Sequence, residues 1–166
     1  MKIHKMSIVL PFLLITPIFA QLFYPKHKTI RKFHLITSHR ANWHQALFDC
    51  RSLSMNLVSI YSKEENDNIV QQIKDGGYIK EDFWTSGTKL GNKDNTYRWM
   101  GSGKPVNFTD WAVGEPNGRV EEVACIHYNN DKGNAQSDQK WDDYSCHSKF
   151  FFICEQELIE YEYCST

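Results

Sequence analysis

The sequence predicts an α+β domain, exported and stapled by disulfides, in which two helices precede a series of short strands. Three observations predict it. Helical apolar periodicity is confined to residues 38–77, β-prone pieces separated by Gly-, Asn- and Asp-rich loops follow, and five cysteines come after an apolar leader.

The leader comes first. Lys2 and Lys5 precede the apolar run from Ile8 to Phe19, and Ala20 closes it. A basic start, about a dozen apolar residues and a small exit residue read as a signal peptide over 1–20. A membrane span needs roughly 20 apolar residues, so the run is too short, and it contains Pro11 and Pro17. The expected location is secreted and extracellular, with no membrane span. A basic segment, 21–32, holds Lys26, Lys28, Arg31 and Lys32, and the main domain covers 33–155. An acidic tail, 156–166, holds Glu157, Glu160 and Glu162, directly after Glu155. If the two ends pair as strands, these charges face one another.

Within the domain, Ser38 to Leu53 reads as the first helix, with Trp43, Ala46, Leu47, Cys50 and Leu53 on one face and Asn42 as a cap. The second begins at Ser62, where Ser62 and Glu65 form a capping box. Ile69, Val70 and Ile73 make its apolar stripe, and Gly76-Gly77 ends it. Strand-prone pieces follow at 83–85, 97–100, 125–128, 141–146 and 150–154. Residues 101–124 form a long loop anchored by Phe108 and Trp111, and loops of that length in a domain are usually functional. Asn107-Phe108-Thr109 is an N-glycosylation sequon.

Charge and cysteines narrow the class. With 19 basic against 20 acidic residues, and two of the lysines in the leader, the chain has no basic excess for a nucleic-acid partner. Cys50, Cys125, Cys146, Cys154 and Cys164 lack Cys-x-x-Cys spacing, so an exported chain points to disulfides. Spacing does not pair them. Their odd number leaves one over, which suggests a bridge between chains.

The chemistry concentrates in two segments. Glu115-Pro116-Asn117 places an acid and an amide around a proline, and Trp141-Asp142-Asp143 adds two carboxylates. Glu122, with Glu121 behind it, offers another. Calcium takes six to eight hard oxygen ligands, and these side chains supply that type. A cis X-Pro bond would put the Glu115 and Asn117 oxygens on one side of the loop.

Trp84-Thr85-Ser86-Gly87, Trp111 to Gly114, Glu115-Pro116-Asn117, Cys125, Trp141-Asp142-Asp143, Cys146 and Phe152-Ile153-Cys154 occur in an order and spacing that resemble the C-type lectin family, in a variant similar to insect secreted lectins. The likeness runs from about Phe33 to Glu155. It implies the C-type lectin-like fold, two helices packed on small antiparallel sheets with a long calcium-binding loop. It also implies the bridges Cys50–Cys154 and Cys125–Cys146, leaving Cys164 as a tether for a disulfide-linked homodimer. One calcium ion is implied, with Glu115, Asn117, Glu122, Asp142 and Asp143 both as metal ligands and as hydrogen-bond partners of two neighbouring sugar hydroxyls. Glu-Pro-Asn goes with the diols of mannose, glucose, N-acetylglucosamine and fucose. The implied partners are glycans or glycoproteins, including microbial surface sugars, which is a role in innate immunity.

Two departures qualify this. The family's Trp-Asn-Asp is here Trp141-Asp142-Asp143, and a carboxylate has no N–H to donate. The auxiliary acid's position holds Val123, with Glu122 one earlier. Lys89 and Gly118 stand where acids of further calcium sites would be. The alternative is therefore a calcium-independent protein-binding domain on the same fold. Enzyme activity is not expected. No nucleophile elbow, phosphate loop or His-Glu-x-x-His is present, and His127 and His147 read as ordinary core or surface histidines. Neighbouring Asp142 and Asp143 point to opposite strand faces, which disfavours a glycosidase pair. Trp84, Trp111, Trp141 and Phe108 read as core anchors rather than sugar platforms.

Overall fold

The computed structural model describes residues 26–92, 94, 96–118, 124–130 and 139–162. The leader 1–20, Glu121, Glu122, Val123 and Cys164 lie outside the described residues. The chain divides into two units, Ile30–Leu158 and a smaller one comprising Met1–Thr29 with Ile159–Thr166. In the smaller unit the His27 and Tyr161 rings lie 6.2 Å apart.

The order of elements is β1 (Lys26–Ala41), α1 (Trp43–Ser52), β2 (Asn56–Leu57), α2 (Lys63–Asp75), β3 (Phe83–Thr88), β4 (Arg98–Trp99), β5 (Ala124–Asn129), β6 (Lys140–Ser145) and β7 (Phe150–Glu162). The first helix starts later than its periodicity suggests. Residues 38–41 continue β1, and Asn42 accepts a 2.8 Å hydrogen bond from the Gln45 amide as the true N-cap. The residues that bury, Trp43, Ala46 and Cys50, all follow that cap, so residues 38–41 had no helical face to contribute. At α2 the Ser62 side chain accepts from the Glu65 amide at 3.2 Å. The Glu65 carboxylate returns to the Tyr61 amide at 2.8 Å, one residue before the usual capping-box partner. Gly76 caps the end, and Gly77 follows with φ 78°.

The strands form one mixed sheet ordered β1-β7-β3-β5-β6, with β2 on β7 and β4 on β3. The β3–β7 pairing is parallel, whereas β3–β5 and β5–β6 are antiparallel. Its two faces bury different residues, as the period-2 alternation of strands requires. Phe83, Ile126, Tyr128, Trp141 and Ile153 pack with Ile69, Val70 and Ile73 of α2. Trp84, Cys125, Phe152 and Cys154 pack with Trp43, Ala46 and Cys50 of α1. Covered on both faces, β3 is buried along its whole length. Gly87 sits where a Cβ would lie 2.5 Å from Ile126 Cδ1, so close packing of β3 on β5 admits no side chain there.

Two disulfides lie within the larger unit. Cys50–Cys154 joins α1 to β7, and Cys125–Cys146 joins β5 to the residue after β6. Of the charges at the two ends, Arg31 and Glu155 meet on neighbouring strands. Arg31 of β1 pairs with Glu155 of β7 and Glu65 of α2, and its guanidinium also donates to the Ser59 carbonyl at 2.6 Å.

Candidate functional site

β6 ends the sheet, and its free edge receives the long loop. Trp111 bridges to Trp141, the Ala112 amide donates to the Trp141 carbonyl at 2.8 Å, and the Trp141 amide donates to the Asp110 carbonyl at 2.9 Å. Buried Asn66 of α2 fixes this seam. Its amide oxygen accepts from Tyr128 Oη at 2.8 Å and Trp141 Nε1 at 3.0 Å, while its Nδ2 donates to Asp110 at 2.8 Å. Lys140 Nζ donates to the other Asp110 oxygen at 2.6 Å. Trp84 and Trp141 are fully buried, and Trp111 and Phe108 pack edge-on against Trp141 at 5.9 and 5.6 Å. These rings anchor the loop.

The seam delivers Glu115 to β6. The Glu115–Pro116 bond is cis, and the Glu115 and Asn117 side chains meet on one side of the loop. Asn117 Nδ2 donates to Glu115 Oε1 at 2.7 Å, and the Asn117 amide donates to Glu115 Oε2 at 2.8 Å and Asp143 Oδ1 at 2.9 Å. One oxygen from each of Glu115, Asp142 and Asp143 lies within 4.8 Å of the others. Strand alternation sends Asp142 and Asp143 to opposite faces, yet both carboxylates reach the cluster because Glu115 stands at the strand's free edge. Of the expected ligands, four therefore come together: Glu115, Asn117, Asp142 and Asp143. Asn107 is exposed on the same loop.

Other residues position these, and sequence reasoning passed over them. Tyr97 donates to Asp143 Oδ2 at 2.8 Å. Burial raises its phenol well above the ordinary range, helped by the hydrogen bond to Asp143, so it remains a donor. Asn129 Nδ2 donates to Asp142 Oδ2 at 2.9 Å, and His127 Nε2 stands 3.7 Å from the same oxygen. The signal available for Asn129 and His127 was register, since residue 127 faces 142 across the β5–β6 ladder.

The donor set fits a hard cation. Asp142 Oδ1 is buried and has no hydrogen-bond partner, while Oδ2 is the oxygen held by Asn129. Among the described residues no Lys or Arg forms an ion pair with any of the three acids. Burial pushes the Glu115 carboxyl up; its hydrogen bonds from Asn117 oppose this, and the neighbouring Asp142 adds to it. Burial also works against ionised Asp142, but the hydrogen bond and charge of His127 and the contact with Glu115 outweigh it and hold that carboxyl below its usual range. Crowded oxygens of this kind, one unpartnered, are what a divalent cation with oxygen preference would satisfy. Lys89 Nζ lies 3.7 Å from the place a Gly118 Cβ would take, so an ammonium stands beside this site.

Residues 39–156 match the family model described as Lectin C-type domain. The chain is 32% identical over 133 residues to C-type lectin mosGCTL-7 of Aedes aegypti, an alignment covering 76% of this chain and 83% of that protein. Some other curated relatives are longer, and the chain spans less than half of those. Among solved structures it superposes on human lithostathine with TM-score 0.63 and 26% identity, covering 75% of this chain and 90% of the other. It also resembles a calcium-independent type II antifreeze protein, with TM-score 0.59, 25% identity and coverage of 76% and 85%.

Proposed function

Because the chain belongs to the C-type lectin domain family, a carbohydrate-binding family, we infer that it is a secreted, calcium-dependent sugar-binding module with no catalytic role. The observation that carries this reading is the convergence of Glu115, Asp142 and Asp143 within 4.8 Å at the edge of β6, with Asn117 beside them. Glu115, Asn117, Asp142 and Asp143 hold one calcium ion, with Glu122 from the undescribed segment as a further ligand. These residues would hold the ion, which would supply open coordination positions for two neighbouring sugar hydroxyls. Glu115 accepts a hydrogen bond from one hydroxyl and the Asn117 amide donates one to another, which selects diols of the mannose, glucose, N-acetylglucosamine and fucose type. Asp142 can only accept. Lys89 beside Gly118 supports a count of one ion, since an ammonium there would repel a second.

The partners in this reading are glycans of microbial surfaces or of the organism's own secretions, a place in innate immunity. A single sugar site binds weakly, so Cys164 tethers two chains. Non-reducing electrophoresis of the secreted protein should show the dimer. A second reading, a protein-binding domain without sugar affinity, is favoured by one observation. Asp142 lacks the amide donor, and its Oδ2 is already committed to Asn129.

Chromatography decides between the two. The oxidised protein should be retained on mannose-agarose in millimolar calcium and released by EDTA. Passage through mannose, N-acetylglucosamine and fucose columns alike, with calcium present, overturns the sugar reading.

A further inference from the structure

Lys89 follows β3 and brings a fixed positive charge to the flank of the calcium site. Its backbone is held to β5, where the Lys89 amide donates to the Ala124 carbonyl at 3.3 Å and Thr88 Oγ1 donates to the same carbonyl at 3.1 Å. The side chain is partly buried, and its ammonium lies 5.7 Å from the centre of the Tyr97 ring, within cation–π range. Tyr97 is fixed in turn. Its ring packs 5.3 Å from that of Trp111, and its hydroxyl donates to Asp143 Oδ2 at 2.8 Å. The ammonium is therefore placed by the same residues that place a metal ligand. Among the described residues it forms no ion pair.

Gly118 keeps this charge open. Its amide approaches Asp143 Oδ1 at 3.5 Å, and its φ of 62° is a conformation that glycine adopts without strain. Apart from its chain neighbours, Lys89 Nζ is the one heavy atom among the described residues within 4 Å of the place its Cβ would take, at 3.7 Å. The missing side chain leaves a notch with backbone on one side and an ammonium on the other. An ammonium has three N–H donors and no lone pair, so only acceptors satisfy it. A neutral hydroxyl takes one hydrogen bond from it, whereas an anionic oxygen takes the hydrogen bond and the charge together. The acids behind the notch face calcium, which offsets two of their charges, while no carboxylate of the described residues pairs with Lys89.

We propose that Lys89, open through the Gly118 notch, is an anion subsite that reads a sulfate or carboxylate carried by the glycan on calcium. Asn117, which hydrogen-bonds the sugar in the reading above, directly precedes Gly118, and successive Cα atoms are only about 3.8 Å apart. A substituent of that sugar reaches the notch from there. Lys89 has this role only with a sugar seated on Asn117, so the subsite rests on the sugar-binding reading. The lectin is accordingly selective for acidic glycans over neutral ones that offer the same diol.

The test is an NMR titration of the oxidised, calcium-saturated protein with glucose, glucose 6-sulfate and glucuronic acid. At low salt the two acidic sugars should bind about fivefold more tightly than glucose, the worth of one exposed ion pair. They alone should shift the Lys89 side-chain resonances. The preference should shrink in about 0.5 M sodium chloride, where the charge is screened. It should fall to about unity in Lys89→Met, which keeps an apolar stem on Tyr97 and removes the charge. A preference that persists in Lys89→Met comes from the metal itself and overturns the subsite. Should that variant not fold, the unaltered protein decides: a salt-sensitive preference with Lys89 shifts supports the subsite, and a preference without those shifts overturns it. Equal binding of all three sugars overturns it and leaves the calcium reading intact. If no sugar binds with calcium, the sugar reading fails and the subsite with it. Binding of Nα-acetylglutamate methylamide as tight as that of the acidic sugars makes a protein side chain the source of the anion and overturns the glycan assignment.

Discussion

Asp142 is the residue on which sugar affinity turns. As a carboxylate it adds charge for the metal but has no N–H to give a sugar oxygen, and Asn129 already occupies its Oδ2. Asp142→Asn should therefore strengthen mannose binding several-fold, about the worth of one neutral hydrogen bond, as read by calorimetry in calcium. A weaker variant would show that the second carboxylate matters more than the missing donor. Glu115 sets the pH dependence. Its carboxyl is raised, chiefly by burial, so it takes up a proton at a higher pH than an ordinary glutamate, whereas Asp142 is lowered and stays ionised. Metal requires the deprotonated form, so calcium affinity should be full at neutral pH and fall as the solution becomes weakly acidic. A progressive loss of affinity on acidification from pH 7.5 is expected by calorimetry. Glu115→Gln should lower the affinity at neutral pH and flatten the profile above pH 5.

The seam between α2, the loop and β6 is the element that places the site. Asn66 is 2% exposed and serves three partners, of which Tyr128 Oη and Trp141 Nε1 would lose their acceptor in Asn66→Ala. Leaving buried donors unpaired costs about 1–3 kcal/mol each. Urea denaturation should show a loss of roughly 2–5 kcal/mol on that basis, with some relief if water enters. Calcium affinity should fall with it, because the same asparagine holds Asp110 at the start of the loop. A destabilised protein with unchanged calcium affinity would mean the loop is positioned by its aromatic anchors alone.

For the whole larger unit, the two disulfides act on different things. Cys50–Cys154 closes a separation of 104 residues and Cys125–Cys146 one of 21. Loop-entropy arguments assign them roughly 4–5 and 3 kcal/mol. Replacing Cys50 and Cys154 by alanine should produce the larger loss in urea midpoint. Replacing Cys125 and Cys146 should produce the smaller stability loss but the larger loss of calcium affinity, since that bridge secures the strand pair bearing Asp142 and Asp143.

Local chemistry was enough to read the helix caps at Asn42 and Ser62, the strand-prone pieces and the proline-flanked ligands, because each depends on neighbours a few residues away. It did not reveal that residues 26–41 form a strand. Nothing in Lys26 to Ala41 alternates clearly, and the segment is extended because β7, more than a hundred positions later, offers it a partner. The same holds at the site. Glu115, Asn117, Asp142 and Asp143 were legible as oxygen donors, whereas Asn129 and His127 gained roles only through strand register and Tyr97 only through packing against Asp143. Donor type is a property of single residues. Which donors converge on one point depends on pairing across the sheet, which no short stretch of chain encodes.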